Sequence, residues 1–147
     1  MAFSVPIKSI FERVNAEKAN IENLSVRDLK SEMAENDDLL LLDIRELQER
    51  VDLGTIPSSK HVPRGMLEFW ADPASPYYRD YFQEDRRIVL FCAGGGRSVF
   101  AVNALADMGF TRVAHLEPGF GGWKKAEEPI EDVSATSRWV RRDTAKS

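Results

Sequence analysis

Apolar residues are grouped along the chain in short continuous runs, a pattern typical of buried strands. Residues 39–42 are four consecutive leucines, and residues 88–91 form a second run of the same length. Both runs are too short for a buried helix, so we predict two strands that are covered on both faces. Residues 113–116 predict a third strand, and residues 61–62 predict a short fourth one.

Apolar residues recur at helical spacing in three other segments. Residues 7–14 follow Pro6, which suits the first turn of a helix, so we predict an amphipathic N-terminal helix. Residues 25–36 open with Ser-Val-Arg-Asp, which resembles a capping box and predicts a second helix. Residues 98–108 are apolar on nearly every face and precede Gly109, which predicts a mostly buried helix.

Strands that alternate with helices indicate the α/β class. We predict a small parallel sheet flanked by helices on both faces, in which ligands bind beyond the carboxyl ends of the strands. The expected organisation is an N-terminal helix within residues 1–20, one domain over residues 21–132 and a polar C-terminal tail over residues 133–147. Residues 68–82 are rich in proline and aromatic side chains and predict a long loop with short helical turns.

Composition narrows the function classes. The chain has 147 residues, of which 43% are hydrophobic and 30% charged, and its net charge is −4, so we expect one folded domain. Its basic residues are spread along the chain, which argues against nucleic acid or an anionic membrane as a partner. The opening residues lack the apolar run of a secretory signal, and no apolar stretch is long enough to span a bilayer, so a cytoplasmic location is expected.

The segment that carries chemistry lies between a predicted strand and a predicted helix. Glycines there allow positive φ and turn backbone N–H groups inward, which creates an anion site at a helix N-terminus. These N–H groups, the helix dipole and Arg97 favour a thiolate, so Cys92 is expected to be a nucleophile near neutral pH. The expected binding residues around it are Ala93, Gly94, Gly95, Gly96, Arg97 and Ser98.

Other chemistries fit these residues less well. A cysteine after an apolar strand is often only a small buried hydrophobe. A nucleotide loop would need a Lys-Ser/Thr pair after its glycines, and the chain has none there. A cysteine hydrolase would need a histidine base, but His115 lies within a predicted strand, where a core or surface imidazole is commoner. One cysteine and two scattered histidines do not form a zinc site, so neither a metal nor another cofactor is expected.

These residues resemble the rhodanese family, in which a Cys-x-x-Gly-x-Arg loop joins a strand to a helix. Cys92, Gly95 and Arg97 match that loop. Residues 41–46 are similar to the family's Asp-x-Arg strand end, and residues 54–57 to its Gly-His-Ile-Pro segment. Three more segments are similar to a bacterial single-domain branch: residues 62–69, 108–110 and 119–123. The resemblance covers about residues 24–131 and implies a rhodanese-like fold.

The resemblance also implies a reaction. Cys92 would take a sulfane sulfur from thiosulfate or a related small anion as a persulfide and pass it to a thiol or to cyanide. The alternative is a sulfur-carrier or persulfide-sensing module that acts on a partner protein. Relatives with phosphatase activity have five residues between cysteine and arginine, whereas four intervene between Cys92 and Arg97, which favours sulfur transfer.

Several residues near the expected site keep two interpretations. Asp43 and Arg45 follow a strand and could approach the site, but a buried ion pair or loop anchor is favoured because buried charges are usually paired. Arg64 could bind the donor anion or hold the loop after Pro63. Ala93 departs from thiosulfate-using relatives, in which this position is often basic, and so leaves the substrate open.

Overall fold

The computed structural model of the protein describes residues 5–138. Five parallel strands form one sheet in the order β1-β5-β4-β2-β3. The strands are β1 (Glu22–Leu24), β2 (Leu40–Asp43), β3 (Lys60–His61), β4 (Ile88–Phe91) and β5 (Val113–Leu116). Strand β4 occupies the centre, between β2 and β5, so the chain that leaves its carboxyl end lies in the middle of one sheet edge.

Helices cover both faces of the sheet, which confirms the predicted fold class. They are α1 (Ile10–Lys18), α2 (Val26–Glu35), α3 (Leu47–Leu53), α4 (Leu67–Ala71), α5 (Gly96–Met108) and α6 (Gly119–Lys125). Two short 3-10 turns, Arg64–Met66 and Ser134–Thr136, complete the regular structure of the described part. No helix among the described residues is long and apolar enough to cross a membrane.

The sheet separates two hydrophobic cores because successive side chains of a strand point to opposite faces. The core beneath α4 and α5 receives the strand side chains Leu40, Leu42, Ile88 and Leu90, followed by Cys92. The core beneath α2 and α6 receives Leu41, Val89, Phe91, Ala114 and Leu116. Burial on both faces explains the unbroken apolar runs, and Cys92 continues the alternation of β4 toward the α5 side.

Local signals account for several boundaries. Ser25 accepts a hydrogen bond from the Asp28 N–H while the Asp28 carboxylate accepts one from the Ser25 N–H, so the predicted capping box opens α2. Helix α5 ends where Gly109 adopts a φ of 110°. The segment predicted as a loop with helical turns contains the end of α4 and otherwise only turns.

The structure corrects several boundaries and adds three elements. The strand predicted at residues 39–42 is Leu40–Asp43. Helix α1 begins at Ile10, so Pro6 is outside its first turn and Ile7, which is fully exposed, lies before the helix. Val14 is the residue of α1 that reaches the core. Helix α5 begins at Gly96, two residues before the predicted start. The short strand predicted at residues 61–62 is instead Lys60–His61. Strand β1 and helices α3 and α6 were not predicted. Residues 1–4 and 139–147, which include most of the expected tail, lie outside the described residues.

Helix α1 packs on α5, close to the loop that follows β4. The Arg13 guanidinium lies 4.7 Å from the centre of the Phe100 ring, and Asn103 Nδ2 donates to Glu17 Oε1 at 3.0 Å. The buried side chain of Val14 is 4.0 Å from where a Cβ on Gly96 would stand. The N-terminal segment is therefore part of the packing that supports the start of α5.

Candidate active site

Cys92 stands at the carboxyl end of the central strand, immediately before the turn into α5. The residue is only 1% exposed, and the Gly95 N–H donates to its Sγ at 3.2 Å. The first N–H groups of α5, those of residues 96–98, have no partners within the helix, and the positive end of the helix dipole lies there. Together these groups favour negative charge at or next to the sulfur.

Only one of the three consecutive glycines needs its conformational freedom. Gly95 has a φ of 98°, and a Cβ there would collide with the carbonyl oxygen of Glu117. A Cβ on Gly94 would meet nothing within 4 Å, and one on Gly96 would only reach Val14. The positive φ that the glycines allow is thus adopted by Gly95, and not by Gly94 or Gly96.

The start of α6 braces the loop from behind. The Phe120 N–H donates to the carbonyl of Cys92 at 2.8 Å, and the Gly121 N–H donates to the carbonyl of Ala93 at 2.9 Å. This close approach explains Gly119, whose φ is 65° and whose Cβ would stand 2.5 Å from the Ala93 oxygen. The sequence Gly119-Phe120-Gly121 is thus a backbone support for the cysteine loop.

Arg97 links the loop to α3. Its Nη1 and Nη2 pair with the two carboxylate oxygens of Glu49 at 2.8 and 2.9 Å. These hydrogen bonds hold the pKa of Glu49 below its usual range and raise the pKa of Arg97. The charge that Arg97 brings to the loop is therefore largely offset. Glu49 had no signal in the sequence, because α3 itself was not predicted.

Asp43 and Arg45 form a completely buried ion pair at the end of β2. Arg45 Nε and Nη2 donate to the two carboxylate oxygens of Asp43 at 2.9 and 2.8 Å, and Nη2 also donates to the Gly54 carbonyl at 2.7 Å. The Arg45 guanidinium lies 4.3 Å from the centre of the Phe120 ring. Phe120 in turn bonds to the Cys92 backbone, so this pair lies beneath the loop support.

Two more donors converge on Asp43. The Thr55 hydroxyl donates at 2.9 Å and Arg50 Nη1 at 3.2 Å. Burial alone would raise the pKa of Asp43, but the hydrogen bonds and charge of Arg45 and the Thr55 hydroxyl outweigh it, so the pKa lies below its usual range. Asp43 is therefore the ionised centre of a buried polar cluster.

Arg64 lies at the same sheet edge, two strands from the loop. Its N–H donates to the Ile44 carbonyl at 3.1 Å, and the Ile44 N–H donates to the Phe91 carbonyl at 3.0 Å. Its side chain is 31% exposed and pairs with Glu68 at 2.6 Å. The backbone of Arg64 thus anchors the segment after β3, while its guanidinium is held by a neighbouring carboxylate.

The side chain of Ser98 extends the site into the core. Its Oγ lies 3.6 Å from Cys92 Sγ and 2.7 Å from Nδ1 of His115, and both Ser98 and His115 are fully buried. His115 Nε2 lies 2.6 Å from Oδ1 of Asn23. Ser98 and His115 are 17 positions apart in the sequence, and Asn23 and His115 are 92 positions apart, so no local sequence pattern indicates this contact chain.

Comparison with known proteins defines the family. The model of the rhodanese-like domain matches residues 25–126. The chain belongs to the rhodanese-like family. Both the recognised family and the predicted fold are thereby confirmed. Family membership supports sulfur transfer as the general class of chemistry.

Three similar proteins have been given different functional descriptions. Thiosulfate sulfurtransferase GlpE of Glaesserella parasuis is 29% identical over 68% of this chain and 84% of its own length. The proposed sulfur carrier protein YrkF of Bacillus subtilis is 27% identical over 76% of this chain and 56% of its own. A solved protein of unknown function from Rhodopseudomonas palustris, called a possible tyrosine phosphatase, is 40% identical with a TM-score of 0.80, and the match covers 89% of this chain and all of that one.

Within residues 5–138, this rhodanese domain has no cluster of three or more histidine, cysteine or acidic side chains that could hold a metal ion. The chemistry available at the loop is that of a single thiol, the N–H groups around it and the paired Arg97 guanidinium. Such an arrangement can stabilise a sulfur anion and attack an electrophilic sulfur atom.

Proposed function

We propose that the protein transfers a sulfane sulfur, from thiosulfate or a related donor, to a thiol or cyanide acceptor through a persulfide on Cys92. The observation that carries the proposal is the position of Cys92 Sγ at the N-terminus of α5, with the Gly95 N–H donating to it. A helix N-terminus favours a negatively charged sulfur, whether thiolate or persulfide. Membership of the rhodanese-like family supports the same chemistry.

The transfer balances without an added oxidant. The Cys92 thiolate attacks the outer sulfur of thiosulfate, the sulfur–sulfur bond of the donor breaks, and sulfite leaves with the bonding electron pair. A cyanide ion or acceptor thiolate then attacks the terminal sulfur of the persulfide and releases the Cys92 thiolate. Each half is one nucleophilic displacement, so one cysteine is sufficient.

The rest of the loop would bind the moving charge. In the persulfide the charge resides on the terminal sulfur, and the backbone N–H groups of residues 93–98 are the candidates to receive it. Arg97 would order the loop through Glu49. Arg64, in the 3-10 turn after β3, would exchange its Glu68 partner for the donor anion at the mouth of the site. The Asp43–Arg45 ion pair would support Phe120 and, through it, the cysteine loop.

Phosphate-ester hydrolysis is less well supported, although one relative has been called a possible tyrosine phosphatase. A phosphate cradle needs an arginine fork that faces the anion. Both terminal nitrogens of Arg97 are instead bound to Glu49, and only four residues separate Arg97 from Cys92.

Mass spectrometry after exposure to thiosulfate tests the proposal. We expect the mass to rise by one sulfur atom and to return to its original value after cyanide is added. Cys92→Ser should take up no sulfur, since Cys92 is the sole cysteine of the chain. Cys92→Ser combined with Ala135→Cys carries a thiol at an exposed position and is the matched control, expected to gain none either.

An equal gain in the Ala135→Cys control would mean that any thiol suffices and would refute a role for the loop. Hydrolysis of p-nitrophenyl phosphate by the wild type at a rate above that of Cys92→Ser, without sulfur uptake, would replace sulfur transfer by phosphatase chemistry.

The second candidate is a sulfur carrier that exchanges persulfide with a partner protein. The favouring observation is electrostatic: Ala93 brings no charge beside Cys92, and the guanidinium groups of Arg97 and Arg64 are paired with Glu49 and Glu68. A doubly charged small donor would gain little binding free energy from guanidinium groups that are already paired with carboxylates. Slow turnover with thiosulfate together with rapid uptake of sulfur from a persulfidated protein would select the carrier.

A further inference from the structure

Behind Cys92, three polar side chains from three elements form one continuous chain through the core. They are Ser98 at the start of α5, His115 in β5 and Asn23 in β1, and Ser98 lies next to the sulfur. Polar groups in a core are costly unless each one is hydrogen-bonded, and here each one is. The reaction proposed above makes no use of His115 or Asn23.

The surroundings of Asn23 determine which nitrogen of His115 carries the proton. Asn23 Nδ2 donates to the carbonyls of Lys18 at 3.0 Å and Ile21 at 3.1 Å, which turns Oδ1 toward His115. An amide oxygen only accepts, so His115 Nε2 must donate at 2.6 Å, and the neutral ring keeps a lone pair on Nδ1. Burial and the Lys18 charge, opposed by Glu117, lower the pKa of His115 to about 4, which keeps the ring neutral near pH 7.

This tautomer fixes the direction of the Ser98 hydroxyl. The lone pair of His115 Nδ1 at 2.7 Å takes the single hydroxyl proton, since the competing carbonyl of Gly95 is farther away at 3.3 Å. Ser98 Oγ then presents only lone pairs to Cys92 Sγ, and the thiol donates to it at 3.6 Å. Lone pairs that face the sulfur favour the thiol and disfavour the thiolate.

We infer that His115, held by Asn23, is a positioning residue that turns the Ser98 hydroxyl away from Cys92 and so withholds a hydrogen bond from the thiolate. The effect opposes that of the Gly95 N–H and the helix dipole, which favour the anion. The reactivity of the cysteine is thus a balance rather than the result of maximal stabilisation.

The consequence for sulfur transfer rests on the proposed function. In the persulfide the negative charge moves to the terminal sulfur, and Sγ becomes a neutral bridging atom. Ser98 therefore disfavours only the free thiolate, which is both the attacking species and the leaving group when an acceptor removes the sulfur. A less stabilised leaving group leaves more slowly. The chain behind Cys92 should favour retention of the bound sulfur.

The pH dependence of Cys92 alkylation by iodoacetamide tests the inference without any sulfur donor. His115→Leu removes the acceptor, and the freed hydroxyl should donate to the thiolate, which is a stronger acceptor than the Gly95 carbonyl. We expect the pH midpoint to fall by about one unit, the worth of one hydrogen bond to a charged group. Ser98→Ala should lower the midpoint by less, roughly half as much, because it removes the lone pairs without adding a donor.

The double variant separates positioning from a general structural effect. In the Ser98→Ala background, His115→Leu should leave the midpoint unchanged, since no hydroxyl remains to be turned. His61→Leu is the matched control at the other histidine, which bonds to the Arg45 carbonyl, and should have the wild-type midpoint. The charged groups around the cluster stay the same in all these variants. On the Cys92 side this group is Arg97, which interacts with Glu49 and Glu46. On the His115 side the groups are Lys18 and Glu117.

A raised or unchanged midpoint in Ser98→Ala would overturn the inference, because it would mean that the hydroxyl already donates to the thiolate or has no influence. An equal shift from His115→Leu with and without Ser98 would overturn it too. If His115→Leu does not fold, the pH midpoint of Cys92 alkylation in Ser98→Ala still tests the inference. Cyanide should remove sulfur faster from His115→Leu than from the wild type. If no protein takes up sulfur, the proposed function fails while the alkylation series still judges the role of His115.

Discussion

Replacement of Asp43 by asparagine tests the buried cluster beneath the loop. Both carboxylate oxygens of Asp43 accept from positively charged donors, and the side chains of Asp43 and Arg45 are fully buried. Asp43→Asn keeps the shape but points an amide N–H₂ group at a guanidinium and leaves a buried positive charge without its counter-charge. Removal of one partner from such a pair costs about 3–5 kcal/mol, so we expect a loss of that size in the free energy of unfolding at pH 7.

The same residue makes stability depend on pH in a defined direction. The pKa of Asp43 is lowered in the folded protein, and an unfolded aspartate has a pKa of about 4. As the pH falls, the unfolded chain therefore binds the proton first. The stabilisation by Asp43 is complete above the unfolded pKa and is lost as the pH falls through the folded one. The difference between wild type and Asp43→Asn should shrink over that range.

Urea denaturation of both proteins, at pH 7 and at several values below pH 5, measures these differences. Asp38→Asn is the matched control, because its carboxylate is 78% exposed and lies 3.6 Å from Arg86. An exposed pair of this kind contributes less than about 1 kcal/mol. If Asp43→Asn costs no more than Asp38→Asn, or if its difference from the wild type stays constant as the pH falls, the buried pair does not stabilise the fold in this way.

Three further predictions concern the loop. Gly119→Ala should destabilise the protein by more than about 1 kcal/mol in urea denaturation, since the φ of Gly119 is 65° and its Cβ would contact the Ala93 carbonyl, whereas Gly94→Ala should have little effect. Equal losses of stability in the two variants would contradict the support of the loop by Gly119. Arg97→Ala should raise the pH midpoint of Cys92 alkylation and Glu49→Gln should lower it, because Glu49 offsets the guanidinium charge; shifts of the same sign would refute this. Ala93→Arg should raise kcat/KM for thiosulfate about two- to five-fold at low salt and less at high salt; a lower rate, with normal uptake from a persulfidated protein, would favour the carrier.

The sequence predicts well the elements whose signal is local. Strands β2, β4 and β5 are unbroken apolar runs because both of their faces are buried, and the capping box of α2 is complete within four residues. Strand β1 has no apolar run that would predict it, because only Leu24 of its three residues is buried. Helix α6 contains three glycines, which disfavour a helix. The lack of side chains at Gly119 and Gly121 lets the start of this helix approach the Ala93 backbone.

The candidate site likewise contains residues that one sequence segment predicts and residues that only the tertiary fold brings in. Cys92 and the loop residues up to Ser98 are contiguous, so one segment of sequence contains the thiol, the glycines and the arginine. Glu49, His115 and Asn23 reach the site from α3, β5 and β1, and only the order of strands in the sheet brings them there. His115 lies within a predicted strand, where a core or surface imidazole is commoner, and no residue near it in the sequence indicates the contact with Asn23.

The position of β1 bears on how the domain is assembled during synthesis. This strand is made before the other four, yet its neighbour in the sheet is β5, the last one, so the two pair only when the ribosome has released nearly the whole domain. Pairing between such distant parts of a chain is intrinsically slow, because the entropy of closing the long loop is lost first. Until then Cys92 lacks both the support of Gly119–Gly121 and the Asn23–His115 contact. A chain that lacks β5 and α6 therefore carries the Cys92 thiol without the neighbours that the finished fold places around it.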